Sequence, residues 1–277
     1  MRQMKTIRFL RVLVSAVLAA ALLPGSAFAA GGVYVPSAGT RQVLENGNWV
    51  QTESFRISYR KDGRVTKYTT TDAEGTRSDS YSWKGDYVKK DAYTGSGGYS
   101  CAWTWTHKKG KLHKYSFIDS DGDTWTAKAG WKKKKAAVSF TVTGSSYKMQ
   151  SGTLKMDGKG RITSETRSSA DGVQTWTGSY YGNGLLKKRT YREGAAVSVT
   201  SWNKKGYITS VTDTAPEGNH SVTYTYVMDK KKKCPKEVRV TYNDDGDIRQ
   251  ERILYTKWKK VSRVRNCDAA GTEVPLG

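Results

Sequence analysis

The feature that most constrains this chain is a short pattern that recurs along most of its length. Apolar and polar residues alternate, a glycine-containing turn interrupts them, and the alternation resumes. The clearest copy is residues 197–212, with its turn at 203–206. Alternation with a period of two on both sides of such a turn predicts a β-hairpin. Similar hairpins are predicted at residues 55–68, 103–115, 152–166 and 241–253.

The spacing of the turns predicts the fold class. Runs of about six to ten residues separate neighbouring turns, which is the usual length of a strand. The chain is therefore expected to be all-β, an antiparallel meander of about nineteen short strands in repeated hairpins. Equivalent turns at Gly63, Gly110, Gly160 and Gly206 recur at intervals of roughly 50 residues, so that two hairpins form one repeat. Because so many strands cannot lie in one flat sheet, we expect them to curl into a shell, a wide barrel or stacked sheets.

The N-terminus has the organisation of a secretory signal peptide. Basic residues precede an apolar stretch at 12–23, and an Ala-x-Ala sequence ends at Ala29. Residues 1–29 are thus predicted to be a signal peptide cleaved between Ala29 and Ala30. Residues 30–277 are predicted to form a single β-hairpin repeat domain with no transmembrane segment. We expect the protein to be secreted, extracellular or associated with the cell envelope.

The charge of the chain is strongly unbalanced. Its 47 Lys and Arg residues outnumber 25 Asp and Glu, which gives a net charge of +22 over 277 residues. Such a charge favours anionic partners and salt-sensitive binding. Outside a cell, the expected partner is an anionic cell-wall polymer or polysaccharide, and nucleic acid is not expected. The alternative is that the lysines keep a Thr- and Tyr-rich β surface soluble and protect its strand edges.

Three lysine clusters fall at or beside turns that occupy equivalent places in the repeat. If the repeats stack, these turns lie at one rim as a positive stripe, which suits a polymer better than a small ligand. The alternative is that each cluster is a solvated turn. The clusters are Lys132, Lys133, Lys134 and Lys135; Lys187 and Lys188; and Lys230, Lys231, Lys232 and Lys233.

Tryptophans are the second group of candidate binding residues. On the exposed side of a sheet their rings can stack on sugars, whereas on the other side they pack in the core or across strands. The pattern leaves both alternatives open for each ring. The candidates are Trp83, Trp125, Trp131, Trp176 and Trp202.

No motif in the sequence requires catalysis, and we expect no catalytic residue, cofactor or metal. His107 and His113 lack a third ligand or a nearby nucleophile. Asp119, Asp121 and Asp123 lack the glycine and glutamate of a calcium loop, so a β-turn is expected there. An enzyme acting on an extracellular polymer remains the alternative, because paired carboxylates can be far apart in sequence.

The three cysteines are odd in number for an exported protein. In the expected meander, Cys234 opens a strand and Cys267 closes the second strand after it. The two would then lie at opposite rims, too far apart for a bridge. Cys101 and Cys267 would share a rim and meet only if the sheet closes. We therefore predict no disulfide.

The repeat resembles a known family. Residues 55–83 look like the YD repeats of Rhs-type and wall-associated bacterial proteins, in which a tyrosine-bearing strand, an Asp-containing turn and a return strand recur. The closest copies are Tyr-Arg-Lys-Asp-Gly at 59–63 and Tyr-Asn-Asp-Asp-Gly at 242–246. Residues 202–206 have Trp in place of Tyr, and residues 106–110 have neither Tyr nor Asp. The resemblance implies a secreted β-meander shell, here without the variable toxin domain that often ends Rhs proteins.

Together these features favour a secreted, non-enzymatic surface or cell-wall-associated protein that binds anionic or glycan polymers. Two alternatives stay open. One is an enzyme acting on an extracellular polymer, and the other is a purely structural or protein-contact repeat module.

Overall fold

The structure, a computed structural model, describes residues 32–144, 149–169, 172–216 and 218–268. The predicted signal peptide and its cleavage site between Ala29 and Ala30 lie outside these residues. The described residues form eighteen strands and no helix. The strands are β1 Val33–Glu45, β2 Asn48–Tyr59, β3 Val65–Asp72, β4 Gly75–Lys84, β5 Tyr87–Thr94, β6 Ser100–Lys108, β7 Lys111–Asp119, β8 Thr124–Lys132, β9 Lys135–Thr143, β10 Met149–Met156, β11 Ile162–Ser169, β12 Gly172–Tyr180, β13 Leu186–Glu193, β14 Ala196–Trp202, β15 Ile208–Ala215, β16 Gly218–Met228, β17 Pro235–Asp244 and β18 Asp247–Val261.

The strands form one closed antiparallel ring. Each strand pairs with the next along the chain, and β1 also pairs with β18, with Val33 opposite Val261 and Val43 opposite Glu251. The predicted all-β meander is confirmed, and of the three expected forms the barrel is the one adopted. The eighteen strands of the described residues agree with the expected count of about nineteen, and β18 extends as a single long strand to Val261.

Alternation along each strand separates the inside of the barrel from the outside. In β9, Ala136 and Val138 face inward and are buried, whereas Ala137 and Ser139 are exposed. The inward side chains fill the barrel in two apolar clusters. One joins β2–β5 to β13–β18, and the other joins β6–β10. The interior is therefore packed with side chains.

A repeated hydrogen bond explains the aromatic residue at the end of many strands. Trp83 Nε1 donates to the carbonyl of Val65 at 2.8 Å, and Tyr180 Oη donates to that of Ile162 at 2.6 Å. Similar bonds run from Trp131 to Leu112, from Tyr226 to Ile208 and from Trp258 to Pro235. Each ring contributes apolar area inside the barrel while its polar atom satisfies a carbonyl. These bonds give the repeat its physical basis.

After β18, the chain crosses one end of the barrel. The backbone N–H of Ser262 donates to Lys61, and the side chains of Asn266 and Asp268 accept from the backbone N–H groups of Leu186 and Val88. These partners belong to β2–β3, β13 and β5, which are far apart around the ring. Residues 262–268, here called the C-terminal tail, thus fasten distant strands to one another.

The tail corrects the predicted placement of the cysteines. Two strands, β17 and β18, lie between Cys234 and the tail, so Cys234 and Cys267 lie at the same rim and not at opposite rims. Cys101, at the start of β6, lies at the other rim, so the expectation that it shares a rim with Cys267 is also wrong. All three are buried, and none of them forms a disulfide with another described cysteine. Burial raises the pKa of Cys101 and of Cys234 to about 11 in each case.

Candidate functional site

Alternate turns of an antiparallel meander lie at opposite ends of the barrel, and here the two ends differ in charge. One end, called the basic rim, contains residues 60–64, 85–86, 109–110, 133–134, 157–161, 181–185, 203–207, 229–234 and the C-terminal tail. Its basic residues are Arg60, Lys61, Arg64, Lys109, Lys133, Lys134, Lys159, Arg161, Lys204, Lys205, Lys230, Lys231, Lys232, Lys233, Arg263 and Arg265.

The other end, called the acidic rim, has the opposite character. Its described turn residues are 46–47, 73–74, 95–99, 120–123, 144, 194–195, 216 and 245–246. Within these described residues there is no Lys or Arg. The charged residues are Glu74, Asp121, Asp123 and Asp245. The barrel therefore carries its charge asymmetrically along its axis.

Turn chemistry explains why lysines project from the basic rim. Asn203 Oδ1 accepts from the backbone N–H groups of Lys205 and Tyr207 at 2.9 and 3.1 Å. Asp157 and Asp229 make similar bonds. The Asp or Asn side chain folds the turn by bonding its own backbone. The side chains of the residues that follow are then not needed to fold the turn, and lysine occupies many of these positions.

Three neighbouring turns of the basic rim border a shallow, open depression of about 450 Å³. We call it the lysine pocket. It lies between the β6–β7, β8–β9 and β10–β11 turns, and Tyr87 and Met156 supply apolar parts of its lining. Its basic residues are Lys109, Lys111, Lys133, Lys134 and Lys159.

The pocket is held together by contacts between its turns. Lys111 Nζ donates to the carbonyl of Lys133 at 2.9 Å, which joins the first turn to the second. The backbone N–H of Met156 donates to the carbonyl of Lys134 at 2.9 Å, which joins the second to the third. Lys159 Nζ reaches the carbonyl of Gly182 on the following turn at 3.3 Å. The lysines are thus spaced by backbone geometry despite their mutual repulsion.

Two titratable side chains beside the lysines have altered pKa values. Burial lowers the pKa of His107, whose ring stacks on Tyr87 with centroids 4.4 Å apart, to about 4. The imidazole is therefore neutral near pH 7. Burial alone would raise the pKa of Asp157, but hydrogen bonds from Arg161 and from the turn backbone hold it below its ordinary value. Asp157 is therefore an ionised carboxylate among the lysines.

All three predicted lysine clusters lie at the basic rim, but the pocket gathers only part of one. Lys133 and Lys134 line it, and Lys132 and Lys135 are exposed on the adjoining strand ends. Lys187 and Lys188 are exposed at the start of β13. The third cluster, residues 230–233, lies in the β16–β17 turn, six strands from the nearest turn of the pocket. The lysines therefore form a ring around the rim.

Sequence reasoning missed Lys109, Lys111 and Lys159. The turns at Gly63, Gly110, Gly160 and Gly206 alternate along the chain with a second set, which begins at residues 85–86, and each repeat of two hairpins contains one turn of each set. Because each half-repeat is a hairpin of two strands, both sets return to the same rim. Counting every second turn would have brought these lysines together with Lys133.

The structure resolves the two alternatives that the sequence left open for the five candidate tryptophans, because none of them is exposed. Trp125 and Trp202 are buried in the core. Trp83 and Trp131 point inward and donate to strand carbonyls, and Trp176 lies inside under the guanidinium of Arg189. Inward aromatic area stabilises the barrel, which is why these positions favour Trp.

The described lining of the lysine pocket contains clustered ammonium groups and no nucleophile–base pair. Positive charge gathered in this way attracts anions. Across the described ranges, no three His, Cys, Asp or Glu side chains are grouped so as to hold a metal ion. The same residues include no helix with the length and apolarity needed to cross a membrane.

Comparisons with known proteins show only distant likeness. The chain matches no protein-family model, and no curated protein sequence matches it significantly. A porin-like protein from Bacteroides uniformis is 13% identical with a TM-score of 0.38, over 81% of this chain and 96% of that one. A porin-like protein from Bacteroides vulgatus is 13% identical with a TM-score of 0.36, over 80% and 99%.

A third likeness is to a chain of the Tc holotoxin pore of Photorhabdus luminescens. It is 10% identical with a TM-score of 0.24, and the match spans 86% of this chain but only 19% of the toxin chain. At TM-scores this low, the function of the barrel has to be argued from its own residues.

Proposed function

We propose that the protein is a secreted, non-enzymatic protein of the cell envelope that binds anionic polymers through its basic rim. The observation that carries the proposal is the lysine pocket. Three consecutive turns of one rim place five lysines around a single depression, and backbone contacts hold them there. A flexible polyanion passing over the rim would meet these ammonium groups together, which strengthens binding without demanding one ligand shape.

Two features of the sequence support the cellular setting. The signal-like residues 1–29 support export, and the degenerate YD-type repeat supports a role at the bacterial surface. In this barrel, the repeat corresponds to the aromatic-to-carbonyl bonds and the Asp- or Asn-folded turns. These bonds and turns stabilise the barrel, so the remaining turn residues can be charged without loss of the fold.

Retention of the purified protein on isolated wall polymers and on a neutral polysaccharide, each across a salt series, tests the proposal. We expect retention on the anionic material only, falling steeply with salt as charges are screened. Replacing four pocket lysines with Gln should reduce it strongly. The set is Lys109, Lys133, Lys134 and Lys159.

The matched control removes the same charge from the outer wall of the barrel. If the pocket matters, this control retains most of the binding, whereas equal losses would reduce the proposal to a net-charge effect. Retention on neither material would leave the protein-contact alternative. The control set replaced with Gln is Lys67, Lys90, Lys114 and Lys128, all exposed on strands.

A further inference from the structure

We propose that Arg64, Arg263 and Arg265 form a second, more selective site on the basic rim, which binds a phosphate group in its dianionic, phosphomonoester form. The proposal rests on the proposed function and deepens it, because it gives the anionic polymer a chemical identity. The lysine pocket attracts negative charge of any kind. The three arginines, by contrast, offer directed donors that match the oxygens of a tetrahedral anion.

The three guanidinium groups converge on one carboxylate oxygen. Asp86 Oδ1 lies 2.7 Å from Nη2 of Arg64, 2.7 Å from Nη2 of Arg265 and 3.3 Å from Nη2 of Arg263. The other nearby carboxylate, Asp62, lies 3.3 Å from Nε of Arg64. Three positive charges thus share two negative charges, and the cluster keeps a positive excess that an additional anion would neutralise.

The donors of the cluster outnumber its acceptors. A guanidinium carries five N–H donors, and Asp86 takes one contact from each arginine. Arg265 is only 9% exposed, and its Nε has no hydrogen-bond partner among the described residues. A buried unpaired donor is costly, so the hydrogen-bonding capacity of this guanidinium is not used up by Asp86.

The site is rigid because the C-terminal tail that supplies two of the arginines is fastened on both sides. The N–H of Ser262 bonds Lys61 at 2.8 Å, and Asn266 accepts from Leu186 at 3.2 Å. Gly63 lets the tail pass, since a Cβ there would lie 1.8 Å from the carbonyl oxygen of Arg263. Preorganised donors bind an anion without first paying to order the loop.

The cluster adjoins the lysine pocket. Asp86 is followed by Tyr87, whose side chain lines the pocket. Asp86 is 49% exposed and Arg263 is 52% exposed, so the cluster opens to the rim surface at these two residues. A polymer that carries a terminal or pendant phosphomonoester could therefore place it at the arginines while its neighbouring charges pass over the lysines. The alternative is that the arginines only anchor the tail to Asp86.

Calorimetric titration with glycerol 2-phosphate and with sulfate, at pH 8 and at pH 5, distinguishes these readings. A phosphomonoester gains its second charge near pH 6, so we expect it to bind more tightly at pH 8, whereas sulfate keeps its charge at both values. Arg263→Gln should weaken phosphate binding by about tenfold through loss of a charge-assisted contact. Arg263 is 52% exposed, so this change should leave the fold intact.

Asp86→Asn provides the decisive comparison. If Asp86 competes with the ligand for the arginines, its neutralisation should tighten phosphate binding several-fold, whereas a tail anchor predicts a lower Tm and no gain. The control Lys133→Gln with Lys134→Gln should change phosphate binding by less than about twofold, because long-range charges are screened. Unchanged binding in Arg263→Gln, or no binding by the unaltered protein, overturns the site.

These outcomes are separate from the test of the proposed function. Polymer retention that depends on the lysine pocket but not on Arg263 would overturn only the phosphate site. Phosphomonoester binding without polymer retention would overturn only the polymer proposal.

Discussion

The two ends of the barrel are built by the same hairpins, yet they differ in the charge of their turns and in the interior beneath them. At the basic rim, Asp- and Asn-folded turns carry lysines above an apolar interior that includes Leu186 and Ile208. Towards the acidic rim, the interior contains buried charges such as Arg41 and Glu251. Apolar packing thus lies directly beneath the surface that gathers charge. In the other half, paired ions and hydroxyls lie in the same interior as apolar residues such as Phe117 and Trp125.

The largest effect is expected from breaking the polar interior. Glu251 Oε2 accepts from Tyr242 Oη at 3.0 Å and lies 3.9 Å from Nε of Arg41. Glu251→Ala would leave Arg41 with less counter-charge in a buried place, at a cost of about 3–5 kcal/mol in the free energy of unfolding. Urea unfolding measures it. Glu74→Ala, in an exposed turn of the acidic rim, should change stability by less than about 0.5 kcal/mol. Similar losses in both variants would contradict the comparison.

A second test addresses the apolar interior beneath the basic rim. Ile208 is fully buried, whereas Ile248 on β18 is 61% exposed. Ile208→Ala should cost about 2–5 kcal/mol because it removes buried apolar area and leaves a cavity. Ile248→Ala, the same chemical change near the acidic rim, should be close to neutral. Equal denaturation midpoints for the two variants would show that the inside of the barrel is not packed as described.

The third prediction concerns pH. Burial raises the pKa of Asp79 on β4 from 3.8 to about 6. The folded protein therefore holds this proton more tightly than the unfolded chain, so the stability linked to it is full below about pH 4 and is lost as pH rises through 6. Asp79→Asn keeps the side chain neutral. It should stabilise the protein at pH 8, on the order of 1–2 kcal/mol, and have little effect at pH 4. A pH-independent change in Tm would refute the assignment.

The smallest effect is expected at the lysine pocket itself. Lys133 has a φ of 53°, a left-handed conformation that glycine adopts without strain. Lys133→Gly should change the free energy of unfolding by no more than about 0.5 kcal/mol while removing a pocket charge, because relief of strain offsets added chain entropy. Lys128→Gly, in the extended part of the same hairpin, should destabilise by about 0.5–1 kcal/mol. Thermal unfolding compares the two. A larger loss for Lys133→Gly would mean that its side chain supports the turn.

The local pattern predicted much of the fold because each hairpin is specified by its own residues. Alternation around the turn at 203–206 placed β14 and β15, and the same reasoning placed β2 and β3. Closure was not predictable in this way. It depends on the pairing of β1 with β18, and neither strand contains a signal for so distant a partner.

The candidate site was predictable only in part. The lysine clusters were visible in the sequence, and turn order assigns them to one rim. The sequence could not show which face of its strand each tryptophan occupies. In β12, for example, Trp176 lies in a strand whose two faces are both partly polar. The arginine cluster depends on the C-terminal tail, which has no repeat pattern. Its contacts with Asp86 arise from tertiary folding alone.

Closure of the ring also shapes how the chain reaches this structure. Every pairing except that of β1 with β18 joins sequence neighbours, so the hairpins can form on a microsecond timescale. The seam, which is the pairing of β1 with β18, instead joins Val33 to Val261. The chain entropy lost in closing so long a loop is therefore lost in one late step. Until then both strands present open edges that can accept a strand from another molecule. The slowest stage of folding is therefore also the stage at which exchange of strands between two copies competes with the native seam.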